Sequence, residues 1–261
     1  MIKAPDFITD FSLNGWRKLN IVVVGAGGTG SALLNKLFQM HMTLTSLGAQ
    51  GFSVTVFDDD VVTPSNVGRQ AFWPSDVDAK KAEILVERYN RFGHVEWKAI
   101  AEKFSFDPAP YSSESLVVFG CVDNVQGRKE IHQFMQLHNC VWIDCGNDSH
   151  SSNILMGMNA KVGGKPVYLP SVYDLFKLQM DQDQTTTEPS CSTAEAISRQ
   201  TLGINDMTAA YAAQILWQLI RNGEIAFHGV TLDLLSGVST PIPCDPEIWA
   251  MFGYEDVKDV A

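Results

Sequence analysis

The sequence lacks what several protein classes require. Its five cysteines, Cys121, Cys140, Cys145, Cys191 and Cys244, form no Cys-x-x-Cys pair, so no four-ligand zinc site is expected. No stretch approaches the roughly 18 apolar residues of a membrane-spanning helix. The opening segment MIKAPDFITDFSLNGWRKLN has neither a long apolar run nor a small-residue cleavage site. A secretory leader is therefore not expected, and an odd cysteine count without one predicts reduced thiols in a cytoplasmic protein. Basic residues are scarce, 19 Lys and Arg against 30 Asp and Glu, for a net charge of −11. A coat for nucleic acid needs a basic face, so that role is excluded, although a small basic pocket for a nucleotide is not. Internal repeats and low-complexity tracts are absent.

What is present is a chain of 261 residues, 45% hydrophobic, long enough to bury a proper core in one domain spanning 1–261. Residues 20–24 (NIVVV) read as a buried strand that ends in glycines. Ala32, Leu33, Leu37 and Met40 then fall at helical spacing. Further strands are expected at 52–57, 94–100, 116–119 and 141–144, with helices at 79–91 and 126–137. Strands separated by helices predict an α/β fold with a Rossmann-like, doubly wound, mostly parallel sheet. The nucleotide-binding half covers about 18–150. The remainder, about 151–261, predicts an antiparallel extension with strands at 154–162, 167–169 and 230–235. It also holds a long polar segment, 179–193, and an apolar helix, 208–220, suited to core packing or to a subunit contact.

Gly25, Gly27, Gly28 and Gly30 match G-x-G-x-x-G between a strand and a helix. Glycines permit the tight turn and the approach of backbone to phosphate, and the helix start offers free N–H groups. The second strand ends at Asp58-Asp59-Asp60, where an acid can accept from ribose hydroxyls or simply form a solvated turn. Asn66, Arg69 and Gln70 follow. A planar guanidinium suits phosphate oxygens, and carboxamides can orient them; a surface ion pair for Arg69 is the plainer alternative. Lys81, at the start of a helix, either adds a cation to the same cleft or is solvated. Asp123, beyond the fourth strand, either holds Mg²⁺ beside phosphates or caps the next helix.

Taken together, Gly25-x-Gly27-Gly28-x-Gly30, Asp58-x-Asp60, Ser65-Asn66-x-x-Arg69-Gln70, Lys81-x-Glu83 and Cys121-Val122-Asp123-Asn124 resemble the ThiF/MoeB/ubiquitin-activating-enzyme superfamily. The match is close over about 18–160 and looser over 186–221, and the short chain is similar to ThiF-family proteins of PRTRC-type gene clusters. The resemblance implies an adenylyltransferase using ATP and Mg²⁺, and no zinc. Its partner would be a small β-grasp protein, ubiquitin-like or sulfur-carrying, whose C-terminal glycine carboxylate attacks the α-phosphorus. By match, Asp58 and Asp60 would lie at the ribose. Asn66, Arg69, Gln70 and Lys81 would hold the triphosphate, with Lys80 in reserve for Lys81, and Asp123 would ligate Mg²⁺. Cys191 would accept the acyl group as a thioester or remain a surface thiol. Relatives form homodimers, many with an N-terminal helix whose arginine reaches the partner's ATP. No clear counterpart of that helix is legible here, and Arg17 is the only arginine before the glycine loop. The competing readings are an NAD(P)-dependent oxidoreductase, which leaves Arg69, Gln70, Lys81 and Asp123 unexplained, and a nucleotide-binding scaffold without chemistry.

Overall fold

A computed structural model describes residues 1–14, 18–105, 115–182 and 201–254. Arg17 and Cys191 lie outside the described residues. A short strand β1 (Ile2–Lys3) and helix α1 (Asp6–Asn14) precede β2 (Leu19–Val24), α2 (Gly28–Ser46), β3 (Phe52–Phe57), α3 (Lys81–Gly93) and β4 (Lys98–Ile100). Then come β5 (Leu116–Gly120), α4 (Val125–Leu137), β6 (Cys140–Asn147), β7 (Ser151–Val162), β8 (Lys165–Leu169), α5 (Val172–Leu175) and α6 (Lys177–Gln182). The described chain closes with α7 (Ile204–Asn222), β9 (Glu224–Ile225), β10 (Phe227–Asp233), β11 (Val238–Pro243) and α8 (Pro246–Met251).

The main sheet runs β11-β10-β7-β6-β5-β2-β3-β4, with β8 beside the second half of β7. Strands β4, β3, β2, β5 and β6 are parallel, and β7, β8, β10 and β11 pair antiparallel. The doubly wound sheet and its antiparallel extension are thus both present. β2 and β5 are buried almost throughout, which follows from helices covering both faces and accounts for their unbroken β-branched runs. The order of strand addition reverses at β2 and β5, with β3 and β4 laid down on one side and β5 and β6 on the other, and the crevice beyond the carboxyl ends of such a pair is where open α/β sheets hold ligands.

Several elements differ from expectation. The third parallel strand is only Lys98–Ile100, because the Asn90 side chain takes both the N–H and the carbonyl of Trp97 at 2.9 Å. An N-terminal helix does exist: α1 buries Ile8 and Phe11, and its Asp6 carboxylate accepts from the N–H groups of Gly163 and Gly164 at 2.6 and 2.9 Å. β11 was obscured by Pro241 and Pro243; prolines remove backbone donors but are tolerated on an edge strand, where β11 stands. The apolar stripe of α7 goes into the chain's own core, with Ala209, Ala212, Leu216 and Leu219 buried. Trp249 is likewise fully buried, against His228.

Candidate functional site

The glycine loop folds as it does because side chains would not fit. Gly25 has φ +94°, and a Cβ there would lie 2.5 Å from the Cys121 carbonyl oxygen, so only glycine meets both demands. A Cβ on Gly30 would collide with the Gly25 carbonyl oxygen. Gly30 therefore closes the loop onto the helix and is not itself a wall of the crevice. Gly27 caps α2 with no side-chain hydrogen bond to the helix, which leaves the first N–H groups of α2 at the crevice.

Asp58 braces this loop. Its Oδ2 accepts from Ala26 N at 2.6 Å and its Oδ1 from Asp60 N at 3.0 Å. Burial raises the Asp58 carboxyl above its ordinary range, and the Ala26 N–H and the Lys81 charge work against that rise. Asp60 accepts from Lys81 Nζ at 2.8 Å, with Lys81 buried and Asp60 exposed. Lys81 N also bonds the Asp60 carbonyl, so the aspartate turn fixes where α3 begins. Lys80 turns its ammonium to the Asp59 carbonyl at 2.6 Å, on the exposed side.

Arg69 and Gln70 arrive on a loop tied down at several points. Asn66 Oδ1 accepts from the backbone and hydroxyl of Thr63 at 2.9 and 3.0 Å, and Gln70 N donates to the Asn66 carbonyl. Asn66 is buried and shapes the turn instead of lining the crevice. Ala71 N donates to Ser31 Oγ on α2 at 3.1 Å, and its carbonyl accepts from Arg88 on α3. Arg88 also pairs with Asp76 at 2.6 Å. Gln70 Oε1 is buried with no donor among the described residues.

The result is a cavity of about 750 Å³ lined by Gly25, Gly27, Gly28, Asp58, Asp60, Arg69, Gln70, Lys81 and Asp123. Asp123 is exposed there, at the end of β5. The cap of α4 is Asn124, which accepts from Gly127 N at 2.8 Å; Asp123 is thus left for other work. No group of three or more metal-ligating side chains occurs among the described residues. One exposed carboxylate in a cavity of this size still fits Mg²⁺, which keeps waters and is completed by substrate phosphates.

The structure adds residues that the sequence gave no reason to select. Arg128 on α4 donates through Nε to both oxygens of buried Asp144, at 3.1 and 3.3 Å. Burial pushes the Asp144 carboxyl up, and Arg128 opposes the push. Asn205, at the start of α7, accepts from Asn147 at 2.7 Å and from Thr29 at 3.1 Å, and its carboxamide fills the space that a side chain on Gly28 would need. Arg128 and Asn147 also line a second cavity of about 380 Å³, which continues over the antiparallel extension between Leu155, Val172, Phe176, Met180, Leu232 and Ile242. These roles come from contacts between elements far apart in sequence, so no local motif announces them.

Solved structures share this fold. PaaA is 15% identical with a TM-score of 0.57, over 91% of this chain and 66% of its own. MccB from E. coli, solved with ATP, is 13% identical with a TM-score of 0.56, over 90% of this chain and 66% of its own. MccB solved with AMPCPP and MccA is 15% identical with a TM-score of 0.57, over 90% and 67%. The chain therefore spans about two thirds of the length of these proteins. No curated protein matches it in sequence. The ThiF family profile matches residues 2–240, and with that extent of match the chain belongs to the ThiF family.

Proposed function

We propose that the chain adenylates a carboxylate: it binds ATP in the larger cavity and joins the AMP moiety to the C-terminal carboxylate of a small protein or peptide. The observation that carries this reading is the convergence of Arg69, Gln70, Lys81 and Asp123, from three separate segments, on one glycine-lined cavity. Its volume lies within the range of nucleotide-sized pockets. The N–H groups at the start of α2 and the side chains of Arg69 and Lys81 would hold the phosphates and stabilise charge that develops in the transition state. Asp58 and Asp60 would border the ribose while fixing the loop and Lys81. Asp123 would hold Mg²⁺, which when bound neutralises phosphate charge.

The acceptor's tail would lie extended in the second cavity, whose wall combines apolar Leu155, Val172, Phe176, Met180, Leu232 and Ile242 with polar groups such as Asp148, Ser151 and Asn153, and pass Arg128 to reach the α-phosphorus. Arg128, already aligned by Asp144, would guide the carboxylate. A carboxylate oxygen forms the new bond to the α-phosphorus as the bond to the bridging oxygen breaks, and pyrophosphate leaves. The protein's part is positioning and electrostatics. MccB solved with MccA supports a peptide or small protein as acceptor, and a ubiquitin-like protein ending in glycine is the narrower proposal. Cys191 would then take the acyl group as a thioester.

ATP–pyrophosphate exchange with candidate acceptors tests the reading. Asp123→Ala is expected to abolish exchange while far-UV circular dichroism stays unchanged; full exchange in that variant removes the metal assignment. ATP with Mg²⁺ should raise Tm and NAD should not, and the opposite pattern favours an oxidoreductase. ATP binding without exchange for any carboxylate acceptor indicates a scaffold. Cys191→Ala should keep exchange and lose any reducible adduct.

A further inference from the structure

Two thiols that the adenylation chemistry does not use stand together at the floor of the crevice. β5 and β6 are parallel, and Gly120 opposite Asp144 is their last pair, so Cys121 and Cys145 come next, opposite one another. Side chains alternate along a strand. Position 120 faces α4, since a Cβ on Gly120 would meet Ile131 and Asp144. Cys121 therefore faces the other way, towards α2, where its Cβ would lie 3.4 Å from a Cβ on Gly30. Both cysteines are free, and both line the larger cavity. Cys145 Sγ donates to the Ile143 carbonyl at 3.7 Å, and the neighbouring Cys121 thiol together with burial holds the Cys145 thiol well above its usual range. Neighbouring strands run about 4.8 Å apart, inside the Cα separation of about 4.4–6.8 Å that a disulfide accepts.

The geometry points to an oxidative modification site, in which a hydroperoxide converts Cys121 and Cys145 into a disulfide that shuts the crevice to nucleotide. Cys121 is half-buried and open to the crevice, whereas Cys145 is buried. Cys121 sulfur attacks a peroxide oxygen and the O–O bond breaks; with hydrogen peroxide the products are a sulfenic acid and water. Cys145 sulfur then attacks the Cys121 sulfur, the S–O bond breaks, and the hydroxyl leaves with the Cys145 proton as a second water. Two thiols lose two electrons and one peroxide becomes two waters. Closure follows from position. The Cys121 carbonyl lies against Gly25 with no spare room, and Asp123 is two residues further on, so widening the strand spacing towards the commonest disulfide Cα separation of about 5.5–6 Å displaces both the loop and the carboxylate. This consequence, though not the disulfide itself, rests on the nucleotide reading above.

The test treats the full chain with hydrogen peroxide, blocks remaining thiols with N-ethylmaleimide, and maps linked peptides by mass spectrometry. The expected result is a peptide pair joined through Cys121 and Cys145 that dithiothreitol separates. ATP affinity with Mg²⁺, read as the ATP-dependent rise in Tm, should fall about tenfold on oxidation, roughly 1.4 kcal/mol, and recover on reduction. Cys121→Ser and Cys145→Ser, each compared with itself before and after peroxide, should show no peroxide-dependent change. Alkylation of both thiols after peroxide, or linkage to a different cysteine, overturns the site, and that readout needs no variant. Peroxide sensitivity persisting in Cys121→Ser, or a linked pair that binds ATP as before, overturns the closure. If the reduced chain shows no ATP-dependent rise at all, the nucleotide reading fails and peptide mapping alone decides the disulfide.

Discussion

Two polar clusters in this molecule use similar side chains to opposite ends. Against α4, Ser171, His132 and Asp174 lie together, the combination of groups that hydrolases use. Ser171 is fully buried. Its hydroxyl donates to Asp174 Oδ2 at 2.8 Å and lies 3.1 Å from His132 Nδ1. Asp174 Oδ2 also accepts from Ser171 N and from the Tyr168 hydroxyl, both at 2.7 Å. With its hydroxyl proton given to Asp174, Ser171 is an acceptor for Nδ1–H of His132, and the imidazole cannot serve it as a base. The cluster is a capping box for α5. In the crevice, by contrast, a buried carboxamide oxygen, an exposed carboxylate and the helix start of α2 face a cavity instead of one another. What separates a site from a structural network is where the polar atoms find partners, since groups satisfied within the chain have no capacity left for a ligand.

Four experiments would break or sharpen that contrast. The largest effect is expected at Lys81. Lys81→Met should lower pyrophosphate exchange by about 10²–10³-fold, as removal of one transition-state donor does elsewhere. Thermal stability should barely change, since Asp60 is exposed and such pairs contribute about 0–1 kcal/mol. Unchanged exchange would move Lys81 to the structural side.

The second concerns His228, which is fully buried and belongs with the satisfied groups. Its Nε2–H donates to the Pro170 carbonyl and its Nδ1 accepts from Trp249. Burial lowers its pKa from 6.5 to about 4. The unfolded chain then takes up a proton that the folded chain refuses, so stability is full above pH 6.5 and falls as pH drops towards about 4, by a total of about 3 kcal/mol. Denaturant titrations across that range should show the loss, and His228→Gln should flatten it. An unchanged pH slope in the variant would assign the acid sensitivity to other groups.

Third, Gly28→Ala should cost about 1–3 kcal/mol through overpacking, because its methyl group would meet the Asn205 carboxamide at 2.5 Å. It should also weaken ATP binding in calorimetry; equal affinity would show that the contact between α2 and α7 does not shape the phosphate site. The smallest effect is expected for Ser171→Ala, about 1 kcal/mol for a lost helix cap, read from Tm. Exchange activity should be untouched, and any fall of tenfold or more would overturn the structural assignment of that cluster.

The parallel half of the fold is legible in the residues because its signals are local. A run such as Asn20–Val24 specifies a strand buried on both faces, and the glycine spacing specifies the turn that follows it. Helix ends, the proline-bearing edge strand β11 and the short β4 are less legible, because side-chain bonds such as Asn90 to Trp97 and position in the sheet decide them. Within the site, chain order alone selected Asp58, Arg69, Gln70, Lys81 and Asp123, and the cavity assembles all five. It could not divide them into groups that brace and groups that face the cavity. Asp58 and Asn66 spend hydrogen bonds on the backbone, and those bonds exist only once the loops have folded.

The sequence by itself determined the element types, the doubly wound order of the parallel half and the tight glycine turn after β2, since hydrophobic period and glycine conformation act over a few residues. Only the tertiary structure decided that Arg128 joins two cavities, that Asn205 closes on Gly28, that α7 is core, and that Cys121 stands beside Cys145. Each of these depends on strand register and helix packing between distant segments, and the free energy that fixes such contacts is gained only when the whole sheet has assembled.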